Sequence, residues 1–288
     1  MLDLISSAPA NHPLAPSGRD PRPAVLLLHG LCANPLEMMP LARHLRRAGY
    51  HVEAPALPGY GVAADGDSAG KARRAPPFEQ WLEQACAHYD ALAARHEQVV
   101  VGGLSMGAVL TLELGLLRRP AALLLVSTPL HFDGWNVSPW RRLLPIAYLP
   151  PLRYWLRFKE TSPFGLKNTR LREWVAQAMR SAAVSAAGAA SLPADSLYQA
   201  SRLLRHVRPQ LRRIGAPALV LHASDDDVSG PRSVHELVAQ LPQTEVKWFH
   251  DSYHMLTLDN EREAVCEAAL QFLRKTVPLA GTAAARAG

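Results

Sequence analysis

A serine between two glycines is the first residue whose position suggests chemistry. Ser105 stands in Gly103-Leu104-Ser105-Met106-Gly107, directly after the strand-like run 98–103 and directly before a helical pattern. A sharp turn between a strand and a helix presents a serine hydroxyl as a nucleophile, and the strained turn leaves no room for side chains two residues away on either side. The same pattern also fits an unreactive serine in a glycine-rich bend. Ser105 is therefore predicted to be a nucleophile only if a base and an acid accompany it.

A histidine near the end of the chain can supply the base. His254 follows the strand-like run 245–249, and its position selects it from twelve histidines. It would take the proton of Ser105 and return it to the leaving group. A capping role before the last helix is the alternative.

Three adjacent aspartates follow the strand-like run 218–222, and one of them can orient the histidine. Asp226 is preferred because of the downstream residues Val228 and Pro231, and it would fix the imidazole tautomer. Asp225 stays open as the acid, whereas Asp227 is expected to face solvent. The chain order is then serine, aspartate, histidine, with each residue just past a strand.

Acyl transfer also requires donors for a tetrahedral oxyanion. The backbone N–H of Met106 follows the predicted nucleophile at a helix N-terminus, and the N–H of Leu31 follows the first strong strand. His29 has no partner at metal-ligand spacing, so it is expected to shape this loop rather than to bind a metal. No metal or cofactor is predicted.

Apolar runs that alternate with helical patterns must position these residues. The alternation predicts parallel strands joined by crossover helices, with the site at the carboxyl ends of the strands. Residues 129–213, rich in proline and tryptophan, interrupt the alternation and are predicted to form a helical cap. The predicted organisation is a loosely attached segment at 1–22, a core at 23–128 and 214–277, the cap at 129–213 and a flexible tail at 278–288.

The positive charge of the chain is concentrated in the predicted cap. Residues 129–213 hold fourteen Lys or Arg and four Asp or Glu, a net charge of +10, whereas the whole chain carries +6. A basic insert in a mildly acidic body argues against nucleic acid as a partner. The apolar stretches are too short to span a bilayer, no secretory leader is legible, and three widely spaced cysteines suit neither disulfides nor zinc. A cytoplasmic protein with reduced thiols is expected.

These motifs resemble the bacterial carboxylesterase and monoacylglycerol lipase branch of the α/β-hydrolase superfamily, over roughly residues 23–275. The resemblance implies an α/β-hydrolase fold, with a mostly parallel eight-stranded sheet flanked by helices and an inserted helical cap. The chain departs from the branch at Ser229-Gly230 and at Tyr253, and its insert is longer and more basic. The matching stretches are Leu28-His29-Gly30-Leu31, Pro58-Gly59-Tyr60-Gly61, Gly103 to Gly107, Ala223 to Pro231 and Ser252 to Asp259.

The predicted function is a cofactor-independent serine hydrolase that cleaves carboxylic esters of medium-chain acyl groups or acylglycerols through an acyl-enzyme. The aromatic content of the cap suits an acyl chain, and the predicted substrate contacts are Trp140, Trp155 and Tyr60. The cap has few carboxylates, which counts against an aminopeptidase, because such an enzyme must receive a substrate ammonium.

Three alternatives stay open. An acyl thioesterase comes second, because arginines at the rim of the cap could meet the phosphates of the thiol carrier. A non-enzymatic binding module on the same fold is the third function. The segment Ser138 to Asn168 could also contact a membrane surface peripherally, although a solvated cap surface would equally explain its arginines. The sequence does not indicate the oligomeric state.

Overall fold

The structure is a computed structural model that describes residues 18–61 and 74–279, except 182, 183, 186 and 187. Residues 1–17 of the predicted N-terminal segment and 280–288 of the predicted tail lie outside the described residues. Part of the N-terminal segment is attached to the body, because the backbone N–H of Asp20 donates to the Arg95 carbonyl at 2.7 Å.

Six strands form the central sheet in the described part of the chain, and every neighbouring pair is parallel. The strands, in chain order, are β1 (Ala24–Leu28), β2 (His51–Glu53), β3 (Val99–Leu104), β4 (Ala122–Val126), β5 (Arg157–Lys159), β6 (Val184–Ser185), β7 (Gly188–Ala189), β8 (Ser191–Pro193), β9 (Ala218–Ala223) and β10 (Thr244–Phe249). The order across the central sheet is β10-β9-β4-β3-β1-β2. The predicted parallel α/β sheet is confirmed, but the described ranges hold six of its strands rather than eight.

Helices cover both faces of the sheet. They are α1 (Met39–Arg47), α2 (Phe78–Arg95), α3 (Met106–Leu117), α4 (Leu144–Ala147), α5 (Thr169–Ser181), α6 (Ala194–Val207), α7 (Pro231–Gln240) and α8 (Arg262–Thr276), with short 3-10 turns at Pro35–Met38, Pro139–Leu143, Leu152–Tyr154 and Arg208–Arg213. No helix in the described ranges is long and apolar enough to cross a bilayer.

The alternation of side chains in β1 divides the core into two layers. Leu26 and Leu28 pack with α2 and α3, whereas Val25 and Leu27 pack with α1 and α8. All four side chains are fully buried, and each such burial stabilises the fold by about 1.5–3 kcal/mol. Strands that are buried on both faces read as continuous apolar runs, which is why the sequence predicts them well.

The predicted cap divides into two parts in the structure. Helix α6 packs against α2 and α3 and contributes Leu203 and Val207 to the same core layer, so the last part of the predicted cap belongs to the body by packing. The middle of the insert is different: within residues 139–159 only Ala147 is buried. Strand β5, at the end of this region, forms a short antiparallel pair with β8.

Candidate active site

A strained turn carries Ser105 between β3 and α3. The serine has φ 56° and ψ −124°, in the left-handed region that L-residues rarely adopt. Its backbone N–H donates to the Val126 carbonyl at 2.9 Å. A Cβ at Gly103 would lie 2.3 Å from the Gly107 backbone, and one at Gly107 would lie 2.3 Å from the Leu28 carbonyl oxygen. Both glycines are therefore required for the chain to make this turn.

His254 lies between Ser105 and Asp226. Its Nε2 is 2.8 Å from Ser105 Oγ, and its Nδ1 is 2.9 and 2.8 Å from the two carboxylate oxygens of Asp226. His254 and Asp226 are both buried, at 5% and 2% exposed. With Nδ1–H donating to the carboxylate, Nε2 is left to accept the serine proton, which is the arrangement that general-base catalysis requires.

The loop after β9 distributes its three aspartates to different environments. Asp226 Oδ1 accepts from the backbone N–H groups of Val228 and Ser229, both at 2.8 Å, so the loop itself fixes the carboxylate. The side chain of Asp225 is 64% exposed and lies 3.9 Å from Lys167 Nζ. Asp226, and not its neighbour, therefore faces the histidine.

Asp227 does not face solvent as predicted. It is 2% exposed, Oδ1 accepts from the backbone N–H of His254 at 3.3 Å, and Oδ2 accepts from the N–H of Gly165 at 3.2 Å. Burial raises the pKa of its carboxyl group. The prediction was wrong because Asp227 is turned into the protein like Asp226, and the sequence alone does not show that backbone N–H groups of two other segments meet its carboxylate there.

Burial and charge act in opposite directions on the acid and the base. Burial alone would lower the pKa of His254, but the Asp226 carboxylate outweighs this effect and the pKa is raised overall. Burial would raise the pKa of Asp226, but the charge and hydrogen bond of His254, with the charge of His222, lower it overall. Both directions favour an imidazolium beside a carboxylate, which is the charge pair that a histidine base forms when it accepts a proton.

Side chains form hydrogen bonds to both peptide units of the loop after β1, the His29–Gly30 peptide and the Gly30–Leu31 peptide. Leu57 N–H donates to His29 Nε2 at 3.4 Å, so Nδ1 carries the proton and donates to the Gly30 carbonyl at 2.8 Å. This bond orients the peptide whose N–H belongs to Leu31. Burial lowers the pKa of His29 to about 4, which keeps the ring neutral in this role.

Tyr60 and Glu37 hold the other peptide unit of that loop. The Tyr60 hydroxyl donates to the His29 carbonyl at 3.0 Å, and the Gly30 N–H donates to Glu37 Oε2 at 2.9 Å. Tyr60 is 1% exposed and its ring meets Trp81 edge-on at 5.2 Å. The structure thus corrects the prediction that Tyr60 contacts substrate, because its side chain is enclosed in the core and supports the loop instead.

Comparison with known proteins decides the family. The model of a hydrolase family described as serine aminopeptidase, S33, matches residues 19–262. The chain belongs to this family of α/β hydrolases. A carboxylesterase of Bacillus subtilis (strain 168) is 26% identical over 255 residues, which are 88% of this chain and 92% of that protein. A thermostable monoacylglycerol lipase of Bacillus sp. (strain H-257) is 27% identical over 261 residues, 87% of this chain and 90% of its own.

A solved structure supports the same fold. The monoacylglycerol lipase of Paleococcus ferrophilus superposes with a TM-score of 0.71 at 19% identity, over 90% of this chain and 96% of that one. The predictions of an α/β-hydrolase fold and of an enzyme are confirmed. The protein is an esterase-like and monoacylglycerol lipase-like α/β hydrolase.

The predicted aromatic contacts of the hydrolase lie on its surface. Trp140 is 75% exposed and Trp155 is 64% exposed. A side chain that lines a covered acyl pocket would be largely buried, so the outward positions of both indoles do not fit the predicted contact with an acyl chain.

Two carboxyl groups near the histidine of the hydrolase were not predicted as site residues. Burial raises the pKa of Glu37 to about 7, and burial together with the charge of Asp227 raises the pKa of Glu160 to about 7. The charge of His254 acts on both groups in the opposite direction. Glu37 has no signal in the sequence, because a single glutamate carries no pattern, and no motif distinguishes Glu160 from the other three acidic residues of 129–213.

Both ends of the exposed part of the cap are bonded to the loops that carry Asp226 and His254. Gly134 N–H donates to the Val228 carbonyl at 3.0 Å, and Met255 N–H donates to the Gly165 carbonyl at 2.8 Å. A Cβ at Gly134 would lie 2.3 Å from the Asp227 backbone. The cap therefore contacts the loop of Asp226 (the acid loop) at one end and the loop of His254 (the histidine loop) at the other.

Asp259 strengthens the second of these junctions. It is 1% exposed, and its carboxylate accepts from the backbone N–H groups of Lys167 and Asn168 at 2.7 and 2.8 Å and from that of Tyr253 at 2.8 Å. In the ranges that the structure describes, no group of three His, Cys, Asp or Glu side chains is arranged to hold a metal ion.

Proposed function

We propose that this hydrolase cleaves carboxylic esters of medium-chain acyl groups or acylglycerols, with Ser105 as nucleophile, His254 as base and Asp226 as orienting acid. The observation that supports this most is the continuous row of hydrogen bonds from Ser105 Oγ through both ring nitrogens of His254 to Asp226. A serine hydroxyl needs such a base to act as a nucleophile at neutral pH.

The reaction proceeds in two displacements. His254 Nε2 takes the proton of Ser105 as Oγ attacks the acyl carbon, and the N–H groups of Leu31 and Met106 donate to the resulting oxyanion. His254 then gives the proton to the departing alkoxide, which leaves an acyl group on Ser105. Water repeats the sequence with His254 as base, and the free acid departs.

Esters are favoured over other acyl derivatives by the two relatives, one a carboxylesterase and the other a monoacylglycerol lipase. The family description names aminopeptidases, and Glu37 with Glu160 supplies two carboxyl groups near His254. Burial raises the pKa of each group to about 7 and so favours its neutral form. A neutral carboxyl group pairs less well with a substrate ammonium than a carboxylate does, and it can exchange hydrogen bonds with a hydroxyl-bearing leaving group such as glycerol.

A substrate panel tests the proposal. We expect kcat/KM on p-nitrophenyl esters to rise by up to about fourfold per methylene, from ~0.8 kcal/mol of burial, until a peak at medium chain length. Monoacylglycerols should be cleaved, whereas acyl thioesters and aminoacyl p-nitroanilides should be poorer substrates. A preference for thioesters would establish an acyl thioesterase, and a preference for the anilides would make the protein an aminopeptidase.

Active-site labelling tests the mechanism separately from the substrate. A fluorophosphonate should label wild-type protein at Ser105 and should not label Ser105→Ala. Chelators should leave ester hydrolysis unchanged, and inhibition that added metal reverses would contradict the metal-free mechanism.

A further inference from the structure

We propose that residues 135–159, the cap face, form a docking surface for an anionic lipid bilayer. The cap face is the most apolar exposed region of the described residues. Nine of their thirteen exposed large apolar side chains lie in it: Trp135, Trp140, Leu143, Ile146, Leu149, Leu152, Trp155, Leu156 and Phe158. Concentrated exposure of this kind marks a surface that meets a partner, because scattered single residues are the norm elsewhere on a monomer.

The charge of the cap face selects the partner. Between Asp133 and Glu160 the chain has five Lys or Arg and no Asp or Glu. Two copies of a face that carries +5 repel each other, whereas a surface of anionic headgroups attracts it. Tryptophans beside arginines are also the combination that suits the boundary between headgroups and acyl chains.

The local structure allows shallow insertion of the cap face. Prolines divide it into the 3-10 turns Pro139–Leu143 and Leu152–Tyr154 around the single turn of α4, so short segments present their apolar side chains outward without a long helix. Trp135 connects this face to the catalytic loops, because its Nε1 donates to the Asp225 carbonyl at 2.9 Å and its ring meets Tyr253 edge-on at 5.3 Å. A bilayer docked on the face would lie beside the loop of His254.

Vesicle binding by the Ser105→Ala protein tests docking without turnover, so the result does not depend on the proposed reaction. We expect cosedimentation with vesicles of phosphatidylcholine and phosphatidylglycerol, weaker binding to pure phosphatidylcholine, and loss of the difference at high salt. Arg141→Ser with Arg142→Ser should weaken binding to the anionic vesicles by roughly ten- to thirtyfold. Ile146→Ser with Leu149→Ser should weaken binding to both kinds of vesicle.

Two matched double variants control for these changes. Arg43→Ser with Arg47→Ser removes the same charge from α1, and Leu117→Ser with Val238→Ser removes apolar side chains of 48% and 46% exposure elsewhere. Both controls should bind vesicles as the parent does. In an otherwise wild-type background, the Arg141 and Arg142 pair should leave hydrolysis of a short water-soluble ester unchanged.

Three outcomes would overturn the docking proposal. The first is equal binding to anionic and neutral vesicles, and the second is equal weakening by the cap-face variants and their controls. The third is a dimer in light scattering that Ile146→Ser with Leu149→Ser dissociates, since the face would then be an interface between two copies of this chain.

We infer independently that Glu37 is a positioning residue for the oxyanion loop, a role that rests on the proposed reaction. Its Oε2 accepts from the Gly30 N–H at 2.9 Å, one peptide before the Leu31 N–H that would meet the oxyanion. A Cβ at Gly30 would lie 3.1 Å from this oxygen and 3.8 Å from Ser105 Cβ, so the carboxyl group and the nucleophile are on the same side of the loop.

Several titratable groups face Glu37. The charge of His254 lowers its pKa and that of Glu160 raises it, while burial is the largest influence. In return, the charge of Glu37 raises the pKa of His254 and of Tyr60. Glu37 therefore combines two effects, a hydrogen bond that fixes the loop and a charge that acts on the base, and two substitutions can separate them.

Glu37→Gln keeps an acceptor for Gly30 and removes the charge. We expect it to retain kcat within a few fold and to shift the acid limb of the kcat/KM profile to lower pH, because the pKa of His254 falls. Glu37→Ala removes both, and kcat should fall by about tenfold or more with little change in KM, because oxyanion donors act in the transition state. The rate of fluorophosphonate labelling should fall in parallel.

Glu113→Gln, a buried carboxyl group on α3, is the matched control and should leave the pH profile unchanged. If wild type is labelled at Ser105 but Glu37→Ala is labelled equally fast with an unchanged pH profile, the positioning role is wrong and the nucleophile stands. If wild type is not labelled at all, the proposed reaction itself fails. Should Glu37→Ala not fold, Glu37→Met takes its place, because it keeps most of the side-chain volume and offers the Gly30 N–H no carboxyl acceptor; kcat and a labelling rate equal to those of wild type would then overturn the positioning role.

Discussion

The central sheet and the cap face differ in what they bury. Strands β1, β3, β4 and β9 are buried along their whole length, whereas the cap face buries one residue between 139 and 159. Ser105 directly follows β3 and Asp226 follows β9, both in the buried region, whereas the outward apolar side chains belong to the exposed one. Geometry that must stay fixed to a fraction of an ångström is therefore placed on rigid strands, and contact with the surroundings is assigned to the cap.

The largest effect should come from the residues that the sheet positions. Ser105→Ala and His254→Ala should each lower kcat by about 10⁴-fold or more, because nucleophile and base act as a unit. Neither change should alter the melting temperature much. Steady-state kinetics with a soluble ester measures the loss, and a folded Ser105→Ala protein that keeps more than about a tenth of the activity would end the assignment.

Two neighbouring aspartates of the acid loop should differ in their effect on kcat by nearly as much. Asp226→Asn should cost about 10³-fold or more in kcat, because the amide no longer holds the imidazole tautomer. Asp225→Asn should cost less than about threefold, since its side chain is exposed and away from the ring. The reverse ranking would show that the loop rearranges in solution.

The junction between the two regions should respond mainly in stability. Asp259→Ala removes the acceptor of three backbone N–H groups, those of Lys167, Asn168 and Tyr253. We expect a loss of about 2–3 kcal/mol in the free energy of unfolding, with a smaller loss of activity. Chemical denaturation measures the first quantity. A loss of activity without a loss of stability would mean that the histidine loop moves independently of the cap.

The pH dependence of kcat/KM reports the electrostatics of the buried region. Neutral His254 is the base, so activity should rise as pH rises through its pKa. Because Asp226 raises that pKa above the ordinary value of 6.5, the midpoint should lie above pH 6.5. The residual activity of Asp226→Asn should have a lower midpoint. An unchanged midpoint in that variant would show that another group titrates.

The smallest effects are expected on the cap face. Trp140→Ala and Trp155→Ala should change kcat/KM on soluble short and medium-chain esters by less than about threefold, because both indoles face outward. The peak of the chain-length profile should not move. If either change flattened the dependence of kcat/KM on chain length, both tryptophans would contact the acyl chain after all, and the cap would have to change its conformation around substrate.

The sheet was predictable because its sequence pattern has one physical cause. Strands buried on both faces require continuous apolar residues, and β1, Ala24–Leu28, is apolar at every position. The turn at Ser105 was predictable for a steric reason, since Gly103 and Gly107 have no room for a Cβ. Constraints of this kind act between residues that are close in the chain, so they leave a pattern in the sequence itself.

Contacts between distant residues were not predictable. Nothing in the sequence shows that Asp227 accepts hydrogen bonds from the backbone of His254 and of Gly165, because these bonds depend on how loops from separate parts of the chain come together. The bond between Glu37 and the Gly30 N–H joins residues of one connection, but it depends on the path of that connection and leaves no pattern of residue types. The predicted contact of the cap tryptophans with an acyl chain does not fit the structure for a related reason. Composition shows that Trp140 and Trp155 are apolar, but it does not show whether they point inward or outward.

The anchoring of the cap at Gly134 and Gly165 also defines where the chain could be recombined. Both positions are tied to the loops of Asp226 and His254, so a donor segment that replaced them would displace one of these side chains. Residues 136–164 lie between the anchors and include most of the cap face. This is the unit that could be exchanged for the corresponding segment of another hydrolase, so that the surface is redesigned while the reacting atoms keep their places.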